Sequence, residues 1–215
     1  MSSLLENPHG ANGEDTLPSM RIADLMSQTW AYRAWQAPFA QSKIQPLLSH
    51  ADLSRVRRVI DVGCGPGTNA ALFDHADYTG LDINSGYIAN ARRRHRRDFR
   101  VADVTRLPPG SVEPGDMVLL NSLLHHLDAD ETHRTLAALP PLLTADGAIH
   151  ILDLVLPDRV SIARTMALLD RGRYPRSVEA WRSIFRTHFI EQLFEPYTFA
   201  GGLWAMVYFR GTARR

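Results

Sequence analysis

From about Met20 to Gln36, apolar positions recur at helical spacing. Ile22, Leu25, Met26, Trp30 and Trp35 line much of one side at intervals of three to five residues. Pro38 interrupts this pattern, and a second short helix is predicted to about Leu48. Ahead of both, residues 1–18 are polar and aperiodic and read as a flexible tail. After residue 50 the period shifts. VRRVIDV (56–62), YTGLDI (78–83), FRVADV (99–104), DMVLLN (116–121) and AIHILDL (148–154) are short apolar runs that read as strands. Stretches of helical length, such as 84–94 and 130–143, separate most of them, which predicts parallel βα units with right-handed connections. The rhythm then breaks. Helical stretches at 159–170 and about 177–187 precede FIEQLFEPYTF (189–199), Gly201-Gly202 and LWAMVYFRG (203–211). Two apolar runs across a short glycine loop predict an antiparallel hairpin.

Composition narrows the class. The chain has 215 residues, 45% hydrophobic and 22% charged, as expected of one ordinary globular domain. The net charge of +1 speaks against a general polyanion binder. A single cysteine, Cys64, excludes an intramolecular disulfide framework and suits a reducing cytoplasm. No apolar stretch approaches the roughly 20 residues of a membrane span, and the first residues lack the features of a secretory signal. Nothing in the sequence demands a metal. Among the 24 basic residues only Lys43 is a lysine, which we attribute to the codon bias of a GC-rich bacterial genome.

The most specific segment is Val59-Ile60-Asp61-Val62-Gly63-Cys64-Gly65-Pro66-Gly67-Thr68: a predicted strand, alternating glycines, then a predicted helix. A dinucleotide fingerprint would need a glycine where Thr68 stands. Pro66 also lacks an N–H for a pyrophosphate. D-V-G-C-G-P-G after a strand resembles motif I of the class I S-adenosylmethionine-dependent methyltransferases, and the resemblance extends over about residues 56–155. It implies an α/β, Rossmann-like fold: a mostly parallel seven-stranded sheet of order 3-2-1-4-5-7-6, the terminal hairpin included. Residues 19–50 would form an N-terminal helical lid and 51–215 the cofactor-binding domain.

The resemblance also implies roles. Gly63, Cys64 and Gly65 would lie against the methionine and ribose parts of S-adenosylmethionine, with Cys64 a spacer within the loop. Asp61 would accept from the cofactor's ammonium, directly or through water. Asp82, with Ile83 beside it, would hold the ribose hydroxyls, and Asp103 and Val104 the adenine. The backbone of Asn121 would receive the ammonium. Read singly, each acid could equally cap the helix that follows it. Jointly, Asp61, Asp82 and Asp103 end three successive strands at one edge of the sheet, where open α/β folds bind ligands.

Methyl transfer from a sulfonium is an in-line displacement that mainly requires alignment and exclusion of water. Catalytic candidates are His125 and His126 after the fourth strand and Asp153 at the end of the fifth, with packing and capping as the alternative. His150, in mid-strand, reads as a buried hydrogen-bonded residue. Candidate acceptor contacts are Arg171, Arg173 and Tyr174, which could clamp an acidic group or form a solvated loop paired to Asp170 and Glu179. Tyr32 and Trp35 could meet an apolar or aromatic acceptor as part of the lid. The run Arg92–Arg97 reads as a solvated helix end rather than a nucleic-acid patch. The expected activity is methylation of a small molecule, releasing S-adenosylhomocysteine, by a cytoplasmic monomer or homodimer. The alternatives are an RNA or protein methyltransferase and a non-catalytic cofactor-binding partner protein.

Overall fold

The computed structural model describes residues 40–170 and 173–214. Seven strands form one sheet: β1 (Arg58–Val62), β2 (Asp77–Asp82), β3 (Asp98–Val101), β4 (Gly115–Asn121), β5 (Leu143–Leu154), β6 (Phe189–Phe199) and β7 (Trp204–Ala213). Their order is β3-β2-β1-β4-β5-β7-β6. The first five are parallel, and β7 is antiparallel to both of its neighbours. The expected Rossmann-like methyltransferase topology is therefore the one observed.

The strands are apolar on both faces because both faces are covered. Ile60, Val118, Leu120, Ile149 and Phe209 share one core with Leu136 of α3 (Ala129–Ala137) and with Trp181 and Phe185 of α5 (Val178–His188). Val59, Leu119, Leu152 and Tyr208 point the other way. They meet Leu47 of α1 (Ala40–His50) and Ile88 of α2 (Ser85–Arg94). A smaller cluster joins Leu154 and Trp204 to Ala167 of α4 (Ile162–Leu169). Local signals explain the helix ends. Asp128 and Glu131 form a reciprocal capping box at α3. Asn84, Ser161 and Ser177 accept from backbone N–H groups at the starts of α2, α4 and α5.

Two expectations need correction. No α-helix follows the glycine loop: a 3-10 turn, Ala70–Phe73, fills the short connection to β2. Its carbonyls are satisfied from elsewhere, because the Arg97 guanidinium donates to the backbone oxygens of Phe73, Asp74 and Ala76. Arg92 likewise donates twice to the Phe99 carbonyl. The arginine run thus stitches α2, β3 and this turn together, rather than lying wholly in solvent. Residues 40–50, the end of the expected lid, belong to the same compact unit as the sheet. There the Tyr197 hydroxyl donates to the Lys43 carbonyl at 2.5 Å, and His50 Nε2 meets Glu195 at 2.7 Å. The tail and the rest of the expected lid, Tyr32 and Trp35 included, lie outside the described residues. No helix among the described residues is long and apolar enough to cross a membrane.

Candidate active site

The site is built at the carboxyl ends of the parallel strands. As β1 ends, Gly63 turns into the left-handed region at φ 72°, and its N–H donates to the Leu81 carbonyl at 2.8 Å. A Cβ on Gly63 would sit 2.8 Å from Leu123, so glycine is required for packing as well as for conformation. Gly65, at φ 55°, differs: a Cβ there would meet none of the described residues within 4 Å. Its backbone borders open space and can be approached closely. The Gly65 N–H donates to Asp82 Oδ2 at 2.9 Å, and the Asn84 N–H to Asp82 Oδ1 at 2.8 Å. Asp82 therefore fixes the loop it is expected to share with a ligand. Ile83 beside it is 74% exposed, and Val101 at the end of β3 is also exposed. The Cys64 side chain is buried with Phe73, Tyr78 and Phe99. Burial, then the Asp61 and Asp82 carboxylates, push its thiol well above the usual range. Only its backbone is available to a ligand, as befits a spacer.

Asp61 is fully buried. Its Oδ2 accepts from the Tyr78 hydroxyl at 2.5 Å and from Asn69 Nδ2 at 3.1 Å. Among the described residues its Oδ1 has no hydrogen-bond partner. Burial outweighs the two hydrogen bonds and raises the carboxyl to about 6. Asn69 Oδ1 in turn accepts from Asn121 Nδ2 at 3.0 Å, so β1, the 3-10 turn and β4 share one buried polar chain. A buried acceptor without a donor is costly. Its position, next to a glycine loop open to approach, fits a cationic donor arriving from outside. Tyr78 and Asn69 were not singled out in the sequence. Tyr78 lies in a predicted strand and Asn69 in the helix predicted after the glycine loop, and no motif spacing marks either.

Asp103 shows its capping role. Oδ1 accepts from the N–H and hydroxyl of Thr105 at 2.9 and 2.7 Å, and Oδ2 lies 3.4 Å from Arg106 Nε. The Thr105 hydroxyl is the main reason that its carboxyl is held below the ordinary value. Val104, next to it, is buried.

Beyond β4 the chain turns sharply, with Ser122 at φ 59°, a conformation unusual for a residue with a Cβ. Asp153, fully buried at the end of β5, organises the loop after this turn. It accepts from the Leu124 and Leu154 N–H groups, both at 2.7 Å, and contacts His125 Nδ1 at 2.6 Å. His125 Nε2 lies 3.2 Å from Asp170 Oδ2, and both side chains are 4% exposed. Burial opposes charge on the ring, but the two carboxylates prevail and lift it to about 9. With both nitrogens engaged and a proton already held, His125 is not a free base. Nor is Asp153, whose oxygens are taken. Their hydrogen bonds hold the loop after β4 in place. His126 is the exposed member, its ring tilted at 38° against that of His125 with centroids 4.2 Å apart. Desolvation, then the charge of His125, lower its affinity for a proton.

Asp170 thus serves His125, a pairing that no local spacing reveals. Arg173 and Tyr174 are exposed, and Arg171 lies outside the described residues. The Tyr174 N–H donates to the His125 carbonyl at 2.9 Å. Arg176 does the buttressing: it donates to the carbonyls of Leu124 and Leu127 and to the Thr132 hydroxyl, and lies 4.7 Å over the Trp181 ring. His150 pairs with the Tyr208 hydroxyl at 2.9 Å in the core, as its mid-strand position predicts.

Residues 59–147 match a family model described as a methyltransferase domain. Trans-aconitate 2-methyltransferase of Methylobacterium nodulans is 37% identical over 97 residues, 41% of this chain and 37% of the relative. The enzyme of that name from Delftia acidovorans is 32% identical over 147 residues, 64% of this chain and 53% of the relative. The chain thus spans about half or less of the length of these relatives. Two solved structures share the fold. A TehB-like S-adenosylmethionine-dependent methyltransferase from Corynebacterium glutamicum has TM-score 0.63 at 17% identity, covering 89% of this chain and 98% of that one. N-methyltransferase NodS from Bradyrhizobium japonicum, solved with S-adenosylhomocysteine, has TM-score 0.61 at 14% identity, covering 85% and 87%. By its sheet order and by the match over residues 59–147, the chain has the fold of the class I S-adenosylmethionine-dependent methyltransferases and contains a segment similar to a methyltransferase domain.

Proposed function

We propose that this chain transfers a methyl group from S-adenosylmethionine to a small acceptor carrying an acidic group. One observation carries the reading: the unpartnered, buried Oδ1 of Asp61 beside a glycine loop whose backbone at Gly65 borders open space. The cofactor would bring a methyl group already activated on a sulfonium. The chain's own tasks are binding and alignment. Asp61 would receive the ammonium together with the Asn121 backbone, Gly63 and Gly65 would let the cofactor approach, and Asp82 has two oxygens for two ribose hydroxyls. Asp103 and Val104 would border the adenine, with Ile83 supplying exposed apolar surface. The Asp153–His125–Asp170 triad and Arg176 would hold the loop after β4, so that exposed His126 meets the acceptor in a fixed place.

The acidic acceptor is supported by the relatives, which are named for a carboxylate-bearing substrate. Arg173 and Tyr174 would extend its pocket. A small acceptor is favoured over nucleic acid because Arg92 and Arg97 are tied to backbone carbonyls. We also assign the protein to the cytoplasm, as a monomer or homodimer; a reducing compartment suits its single buried cysteine. Calorimetry with S-adenosylmethionine, on the wild type and Asp82→Ala, tests the cofactor site. The wild type should bind and the variant should not. Equal binding by both proteins would refute the site.

A further inference from the structure

We infer that His125, His126 and Asp170 form a binding site for one divalent transition metal, open on the side where the acceptor would lie. These three residues offer two imidazole nitrogens and a carboxylate oxygen, all within 4.8 Å of one another. Imidazole donors select borderline dications of the zinc and cobalt type over magnesium or calcium. The His125 Nε2 to Asp170 Oδ2 separation of 3.2 Å is close to the edge of a tetrahedron with metal–ligand bonds of about 2.0–2.1 Å.

The surroundings carry the argument further. A metal-binding histidine nearly always gives its other nitrogen to a carboxylate or carbonyl, which fixes the ring and makes it a better donor. His125 has that partner: Nδ1 is 2.6 Å from Asp153 Oδ1, and Asp153 is locked by the Leu124 and Leu154 N–H groups. The ring therefore cannot swing away from Asp170. The triad sets two carboxylates against one imidazole ring, with the Lys43 side chain as a further cationic neighbour. His126 sits beside it as a further donor, exposed toward solvent. Three protein ligands leave a fourth position, the arrangement of sites that bind an exchangeable oxygen. On binding, the metal takes the lone pair of His125 Nε2, and the proton held there passes to solvent. The site lies where β4 and β5 end. If the proposed function holds, the open position would take an acceptor oxygen. The metal site itself does not depend on that reading.

The test uses the full-length protein, stripped with a chelator and dialysed. Zn2+ affinity is measured by competition with a chromophoric chelator, and Co2+ is titrated by visible absorption. We expect one equivalent of Zn2+ and Co2+ bands of a four- or five-coordinate histidine site. His126→Ala, at an exposed position that spares the fold, and Asp170→Asn should each weaken binding by about tenfold or more, and Asp153→Asn by about 10–100-fold. His133→Ala removes one half of the surface pair His133–His188, whose nitrogens lie 2.9 Å apart, and should change nothing. Overturning results are no stoichiometric binding by the wild type, binding indifferent to His126→Ala and Asp170→Asn, or binding lost in His133→Ala. Calorimetry with S-adenosylmethionine on the same samples reports the cofactor site separately, so a metal failure and a methyltransferase failure are told apart.

Discussion

Replacing Asp61 by asparagine should make the protein more stable and worse at its task. The Asp61 carboxyl is raised from 3.8 to about 6, so the folded state holds its proton more tightly than the unfolded state. Its contribution to stability is therefore fully present below pH 3.8 and lost as pH rises through about 6. That rise in proton affinity corresponds to about 3 kcal/mol, of which about 2 kcal/mol falls between roughly pH 4.5 and pH 8. Asparagine keeps an oxygen for Tyr78 and Asn69 without the buried charge. The stability difference, variant minus wild type, should thus move in the variant's favour by about 2 kcal/mol between those two pH values. Denaturant melts at both pH values measure it, and subtraction removes carboxylates such as Glu191 that titrate alike in both proteins. The cofactor ammonium, however, loses a charge-assisted partner worth about 1.5–3 kcal/mol, so affinity should fall at least about tenfold. Parallel pH profiles would refute the buried-charge argument. Unchanged affinity would refute the assignment of Oδ1 to the ammonium.

Other substitutions separate packing from binding. Gly63→Ala should destabilise by about 1–3 kcal/mol, since its Cβ collides with Leu123, whereas Gly65→Ala should cost only about 1–2 kcal/mol of backbone strain yet abolish cofactor binding. Melts and calorimetry on both variants check the contrast. Arg97→Ala leaves the carbonyls of the turn after the glycine loop short of donors and should cost about 1–3 kcal/mol in melts, with cofactor affinity preserved. His126→Ala should retain fold and cofactor binding but lose turnover; full turnover would remove it from the acceptor site.

The central strands β1 and β4 were legible because each is a short apolar run covered on both faces, and a buried strand leaves little freedom in its composition. The glycine loop and its acids were legible because glycine is favoured at the positive φ of Gly63 and Gly65 and the acids end successive strands. The missing helix was not. Helical spacing cannot report that the connection to β2 is short or that a distant Arg97 satisfies its carbonyls. The buried polar network was half visible. Asp153 and His125 stand at strand ends, but Asp170 meets them only through the fold, and Tyr78 and Asn69 become partners of Asp61 only once β1 and β2 pair. Asp103 could be read two ways, and its side chain makes the capping bonds. Arginines were expected to serve the acceptor from the loop after α4, yet Arg176 braces the histidine loop instead, because its acceptors include the Leu124 and Leu127 carbonyls of that loop and Thr132 of α3.

The central claim is methyl transfer, and the direct measurement is methyl-labelled S-adenosylmethionine given to the purified protein with separate small-molecule, protein and RNA extracts. Asp82→Ala runs beside each. The account predicts label in the small-molecule pool, in an acidic product, and none with the variant. Label confined to protein or RNA would contradict it, as would transfer that persists when Asp82 is removed.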